Sequence, residues 1–133
     1  MRKLAIGLFV ILLLTACTGR SSASMDGQWK LVSYNQTPVA PDVETSIEFK
    51  DGQMSGNVGC NGFGGEYKVK GDAVEFGPVM STMMFCEGPV GEQEMGTLAV
   101  LQGKTSFAIN ENILTITSAD GKSVIVLKRS EER

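Results

Sequence analysis

Residues 107–127 read FAINENILTITSADGKSVIVL, three alternating apolar runs separated by two turns. Phe107 and Ile109 lead into Asn110-Glu111-Asn112, Leu114 and Ile116 lead into Asp120-Gly121, and Val124 to Leu127 close the stretch. A period of two places every second side chain on one face of a strand, and Asn, Asp and Gly accept the backbone of a tight turn. Strands joined by turns this short form an antiparallel meander. Upstream, Glu92 to Gln102 changes the rhythm: Met95, Leu98, Ala99 and Gln102 recur at helical spacing. Glu92 and Glu94 fall in the expected first turn, where carboxylates suit the helix dipole, and Gly103 stands at the expected stop. Further back, Tyr67 and Val69, then Gly71-Asp72, then Val74 and Phe76 read as a hairpin. Ile47 and Phe49 share a face that ends at Asp51-Gly52, and Trp29, Leu31 and Ser33 face one way in a first strand. The fold class expected is α+β, mainly antiparallel β. It is a small twisted or barrel-like sheet of about seven or eight strands with one covering helix at 92–102.

The N-terminus has a different character. Arg2 and Lys3 precede an uncharged stretch from Leu4 to Leu14, too short for a spanning helix, which needs about 20 apolar residues. It matches the apolar middle of a signal peptide. Leu14-Thr15-Ala16-Cys17 resembles the lipobox of bacterial lipoproteins. That resemblance implies a signal peptide at 1–16, cleavage before Cys17 and acylation of Cys17 as the new N-terminus. One acyl chain holds a protein only marginally; the several chains implied for Cys17 attach it for good. Thr18, where Asp would signal retention at the inner membrane, implies sorting to the outer membrane, with the domain facing the periplasm. Small polar residues dominate 18–25, read with Cys17 as a flexible tether with a reach of about 15 Å. One domain over 26–129 follows, and 130–133 read as a frayed tail.

Composition removes several functions. The chain has 133 residues and no histidine, which excludes Ser-His-Asp and Cys-His catalysis, His-ligated zinc and imidazole switching. Arg2 and Lys3 leave with the signal peptide, so ten of the 12 Lys and Arg remain against 15 Asp and Glu, a net charge of −5. An acidic surface is repelled by phosphate backbones, so no nucleic-acid partner is expected. The same sign disfavours docking onto anionic lipid, leaving the lipid on Cys17 as the link to the membrane.

Three segments together resemble the META domain family. Gly59-Cys60-Asn61-Gly62-Phe63-Gly64-Gly65-Glu66-Tyr67 is similar to its Gly-Cys-Asn-x-aromatic-x-Gly-x-Tyr signature, and Thr82-Met83-Met84-Phe85-Cys86 to its Thr-x-Met-x-Cys signature. Trp29-Lys30-Leu31 and the helix and meander from Glu94 to Leu127 complete the likeness. One departure is Thr97, where the family helix carries a large apolar residue. The family includes heat-shock-inducible outer-membrane lipoproteins, so the resemblance implies a stress-tolerance or protein-interaction factor of the envelope with an unidentified protein partner. It implies no enzymatic reaction and no cofactor. Trp29, Gly59, Asn61, Phe63, Gly65, Tyr67, Thr82, Met84 and Glu94 are then structural signature residues.

If the two signatures meet in space, Cys60 and Cys86 form a disulfide, which persists outside the cytoplasm. Closing a 26-residue separation stabilises by roughly 3.5 kcal/mol in the chain-entropy model. The alternative is two separate buried thiols. The glycines from Gly56 to Gly65 lack the Lys-Ser/Thr of a phosphate loop and read as a tight backbone crossing. Met80, Met83, Met84 and Cys86 are soft ligands in one segment. A soft-metal or small-ligand module is therefore the second functional reading, set against methionines that simply pack the core.

Overall fold

The computed structural model describes residues 24–131; the signal peptide expected at 1–16, Cys17 and residues 18–23 lie outside them, as do 132–133. Ten strands run in chain order with one helix among the described residues: β1 (Gly27–Tyr34), β2 (Thr37–Pro38), β3 (Ser46–Lys50), β4 (Gln53–Asn57), β5 (Gly62–Lys70), β6 (Ala73–Phe76), β7 (Met80–Ser81), α1 (Gly88–Val100), β8 (Gly103–Asn110), β9 (Ile113–Ser118) and β10 (Val124–Arg129). Neighbouring strands pair antiparallel in the order β10-β9-β8-β6-β5-β4-β3-β1, and β10 pairs with β1. Eight strands thus close into a barrel, which leaves no long unpaired edge. The two-residue strands β2 and β7 attach to β1 and β5. This is the mainly antiparallel, barrel-like sheet with one helix that the alternation indicates.

Alternation explains the filling. Trp29 and Leu31, Ile47 and Phe49, Val74 and Phe76, Leu114 and Ile116, Ile125 and Leu127 are buried pairs two residues apart that point into the barrel. On β5 the inward positions are Phe63, Gly65 and Tyr67. A Cβ on Gly65 would lie 3.0 Å from the Pro78 carbonyl oxygen and 3.2 Å from the Met54 methyl, so glycine makes the space that Met54 occupies. Phe49 packs edge-on to Tyr67 at 5.2 Å between ring centroids. At Asp51-Gly52, with φ of 51° and 78°, both turn residues are left-handed, as a two-residue hairpin requires.

Several details differ from the sequence reading. The helix starts at Gly88, not Glu92, because Pro89 at its first turn has no N–H to leave unpaired. Glu92 and Glu94 accordingly sit beyond the first turn. The buried helical face is Gly91, Gln93, Glu94, Thr97 and Val100, while Met95 and Ala99 are exposed. Val69 shares Tyr67's face of β5 but is 43 % exposed, because β5 runs on past the last β4 pairing, Gln53 with Glu66. A register shift between Leu31 and Ser33 makes Val32 an extra, exposed residue of β1; the Leu31 N–H beside it donates to Thr45 Oγ1 at 2.9 Å.

The domain begins before residue 26. Met25 is buried, and its carbonyl accepts from Trp29 Nε1 at 2.8 Å. The Arg129 guanidinium lies 4.2 Å from the Trp29 ring centroid and donates to the carbonyls of Asp26 and Ser24. At the other terminus the Ser130 N–H donates to the Gln28 carbonyl at 2.8 Å.

Candidate functional site

The two signatures meet at one end of the barrel. There the β4–β5 connection, residues 58–61, faces the segment 82–87 and the flank of α1. Cys60 and Cys86 are joined as a disulfide with Cα atoms 6.4 Å apart, within the range a disulfide spans. Asn61 is buried between them and uses both ends of its amide. Its Oδ1 accepts from Thr82 Oγ1 at 2.9 Å and from the Met84 N–H at 2.8 Å. Its Nδ2 donates to the Met84 carbonyl at 3.0 Å and to Glu94 Oε1 at 2.6 Å, with both cysteine sulfurs at 3.5 Å.

Glu94 is the second hub. Its Oε2 accepts from the backbone N–H of Cys60 at 2.9 Å and of Asn61 at 2.7 Å. With the Asn61 amide on the other oxygen, three N–H donors surround one buried carboxylate, which is what a buried acceptor needs. Gly59 permits the approach: a Cβ there would lie 2.7 Å from Glu94 Oε2 and 2.8 Å from Glu94 Cβ. Gly91 on the helix does the same for the Cys86 carbonyl, against which any Cβ would collide. Gln93, fully buried, ties in a third segment: its Oε1 accepts from the Ala40 N–H at 2.7 Å and its Nε2 donates to the Val58 carbonyl at 2.6 Å.

Thus Gly59, Cys60, Asn61, Thr82, Met84, Cys86 and Glu94 converge, with Met84 contributing only its backbone to the clasp. Trp29, Phe63, Gly65 and Tyr67 lie elsewhere, in the barrel. Tyr67 donates its hydroxyl to Asp26 Oδ1. Burial, and then that bond, hold the phenol well above its ordinary pKa, so it remains a protonated donor. Gln93 has no signal in the sequence, being a polar residue at a position that helical periodicity assigns to solvent.

Cys60, Cys86 and Glu94 bring ligand-type atoms within 4.8 Å of one another. Metals take thiolates rather than disulfide sulfurs, and the Glu94 oxygens already accept from three N–H groups, so the cluster acts as a clasp. Outside it the methionines expected in the core are exposed: Met83 at 93 %, Met80 at 77 %, Met95 at 69 % and Met84 at 60 %, with Phe85 at 86 %. A groove of about 350 Å³ beside the clasp is bordered by Met83, Met84, Phe85, Met95 and Leu98, with Asn61 and Glu94 of the clasp also in its wall. Met80 borders the adjoining groove across Ser81 and Thr82. The segment 80–85 therefore stands as an apolar ridge between two grooves.

No curated protein matches the chain. Among solved structures it is similar to a protein from Burkholderia xenovorans, determined by NMR, at 22 % identity and a TM-score of 0.65 over 80 % of this chain and 83 % of that one. A second protein determined by NMR is 25 % identical, with a TM-score of 0.64 over 77 % and 88 %. A DUF4847 family protein from Bacteroides vulgatus, solved by crystallography, is 16 % identical, with a TM-score of 0.58 over 81 % and 95 %. The family model of the META domain matches residues 22–131, from just before the buried Met25 to beyond the closing strand. With both signatures folded against one helix, this chain belongs to the META domain family.

Proposed function

We propose that this META-domain protein is a lipoprotein of the bacterial envelope, acylated on Cys17, that works without catalysis by contacting another envelope protein during stress. The observation that carries the reading is the placement of exposed apolar side chains. Of the seven large hydrophobics exposed in the described residues, Met80, Met83, Met84, Phe85 and Met95 gather on one end of the barrel. Such a patch is the mark of an interaction surface. The polar cluster beneath it is already paired within the chain, so it supports the surface and offers no acid, base or nucleophile to a substrate. The barrel axis is filled by aromatic and aliphatic side chains, which favours an outer surface over an interior ligand.

The anchor would lie at the other end. Met25 and Asp26 meet the barrel beside Gly27, Phe49 and Arg129, whereas the clasp follows Asn57, at the far end of β4. Met25 lies eight positions after Cys17, a span of at most about 28 Å, so the patch would point away from the bilayer.

A photo-crosslinking residue placed at Phe85 in intact cells is expected to capture a reproducible protein adduct. The same residue at Glu111, in the turn at the anchor end, should capture none. Equal or blank yields at the two positions, with the protein recovered in the membrane fraction, would count against the reading. For the anchor itself, Cys17→Ser is expected to move the protein from membranes to the soluble fraction.

A further inference from the structure

Resting on that contact reading, we infer that the partner presents a cationic amphipathic segment to the methionine ridge. The argument is one of charge and shape. The ridge and the helix beside it, residues 80–100, contain no Lys or Arg and carry the exposed Glu87 and Glu92. Glu87 follows Phe85 and Cys86 directly, and Glu92 is three residues before Met95, hence its neighbour on the helix surface. Both are exposed, so the apolar ridge has an acidic rim.

This rim discriminates among occupants. A second copy of the chain would set Glu87 and Glu92 against their own equivalents, and like charges across an interface disfavour association. An anionic lipid surface is repelled by the same groups. A segment with apolar residues on one face and Lys or Arg beside them satisfies both parts of the surface at once. Thioether side chains suit this mode of recognition, because methionine is unbranched and repacks around differing apolar shapes. The clasp fixes the base of the ridge through Asn61, Met84 and the Cys60–Cys86 link, so the side chains above it adapt while the backbone holds.

The test uses the whole mature chain with Cys17→Ser, so that no acyl group competes, and follows the methyl signals of its methionines by NMR. The probe is a synthetic helical peptide of Leu and Lys at amphipathic spacing, with its Leu and Glu counterpart as control. The expected result is saturable movement of Met80, Met83, Met84 and Met95 with the Lys peptide, while the buried Met25 and Met54 stay in place. Glu87→Lys together with Glu92→Lys should weaken that binding by about tenfold, as should Phe85→Ser, and the Met25 and Met54 signals report that each variant is folded. Equal response to the Glu peptide, or none to either, would overturn the inference. So would signals that move on concentration alone, meaning a second copy, or only with phosphatidylglycerol vesicles, meaning a lipid surface. Capture of a protein at Phe85 in cells alongside a negative result here removes the cationic partner and leaves the contact reading standing. Absence of capture removes the contact reading itself.

Discussion

Asn61 accepts from Thr82 and Met84 with one end of its amide and donates to Met84 and Glu94 with the other. Replacement by Ala leaves those buried groups without partners, at about 1–3 kcal/mol for each that water does not reach. We expect Asn61→Ala to lower unfolding free energy by about 3 kcal/mol in a denaturant titration with the disulfide intact. Asn61→Asp should be worse, since a second carboxylate would face Glu94 where the amide nitrogen now lies 2.6 Å away. Tyr67 gives a prediction in pH. Its pKa is raised in the fold by burial and by Asp26, so the unfolded chain ionises first. The contribution is complete below the ordinary tyrosine value of about 10 and is lost as pH rises beyond it. Stability measured from pH 9 to 11 should therefore decline less steeply in Tyr67→Phe than in the parent. The identity of both residues as signature positions was legible in the sequence; their partners were not, because Thr82, Glu94 and Asp26 are brought in from distant segments.

At the level of the element, α1 shows how a correct helix can be assigned the wrong face. Periodicity selected Met95, Leu98, Ala99 and Gln102 because it equates the buried side with the apolar one. The helix instead lays Gln93 and Glu94 inward, where loops 58–61 and 38–40 supply hydrogen bonds, and turns Met95 out. Gly96 belongs to the same packing: a Cβ there would lie 2.7 Å from the Tyr34 ring, which outweighs the helical preference for alanine. Thr97 is fully buried and its hydroxyl has no hydrogen-bond partner among the described residues. An unpaired buried hydroxyl costs about 1–3 kcal/mol. Thr97→Val keeps the outline and removes that hydroxyl, so it should raise the thermal midpoint, by an amount corresponding to about 1 kcal/mol.

For the whole molecule, the closing β1–β10 pair and the Cys60–Cys86 link act on different parts. The barrel is sealed by pairs such as Leu31 with Leu127 and Trp29 with Arg129, far along the chain from one another. The disulfide instead fastens segment 82–87 and the helix start to the barrel mouth. Reduction should lower stability by roughly 3.5 kcal/mol for a 26-residue separation while leaving the barrel assembled. Hydrogen exchange checks this: amides of Met84 and Asn61 should lose protection on reduction, and those of β9 and β10 should retain it. Loss of protection throughout would mean that the clasp, and not the filled barrel, sustains the fold.

By itself the sequence determined seven of the ten described strands (β4 and the start of β5 lie in the glycine stretch that reads as a crossing), the short turns between them, the presence and approximate place of one helix and the family. These rest on local regularities, namely period-two alternation, turn residues and short signatures, each written within a few adjacent positions. Only the tertiary structure decided that the sheet closes on itself, that Gln93 and Glu94 face inward, that Met25 belongs to the core and that the methionines of 80–84 face solvent. Those outcomes depend on which distant backbone groups meet a given side chain, and burial of a polar or exposure of an apolar residue follows from that meeting rather than from the residue's own hydropathy.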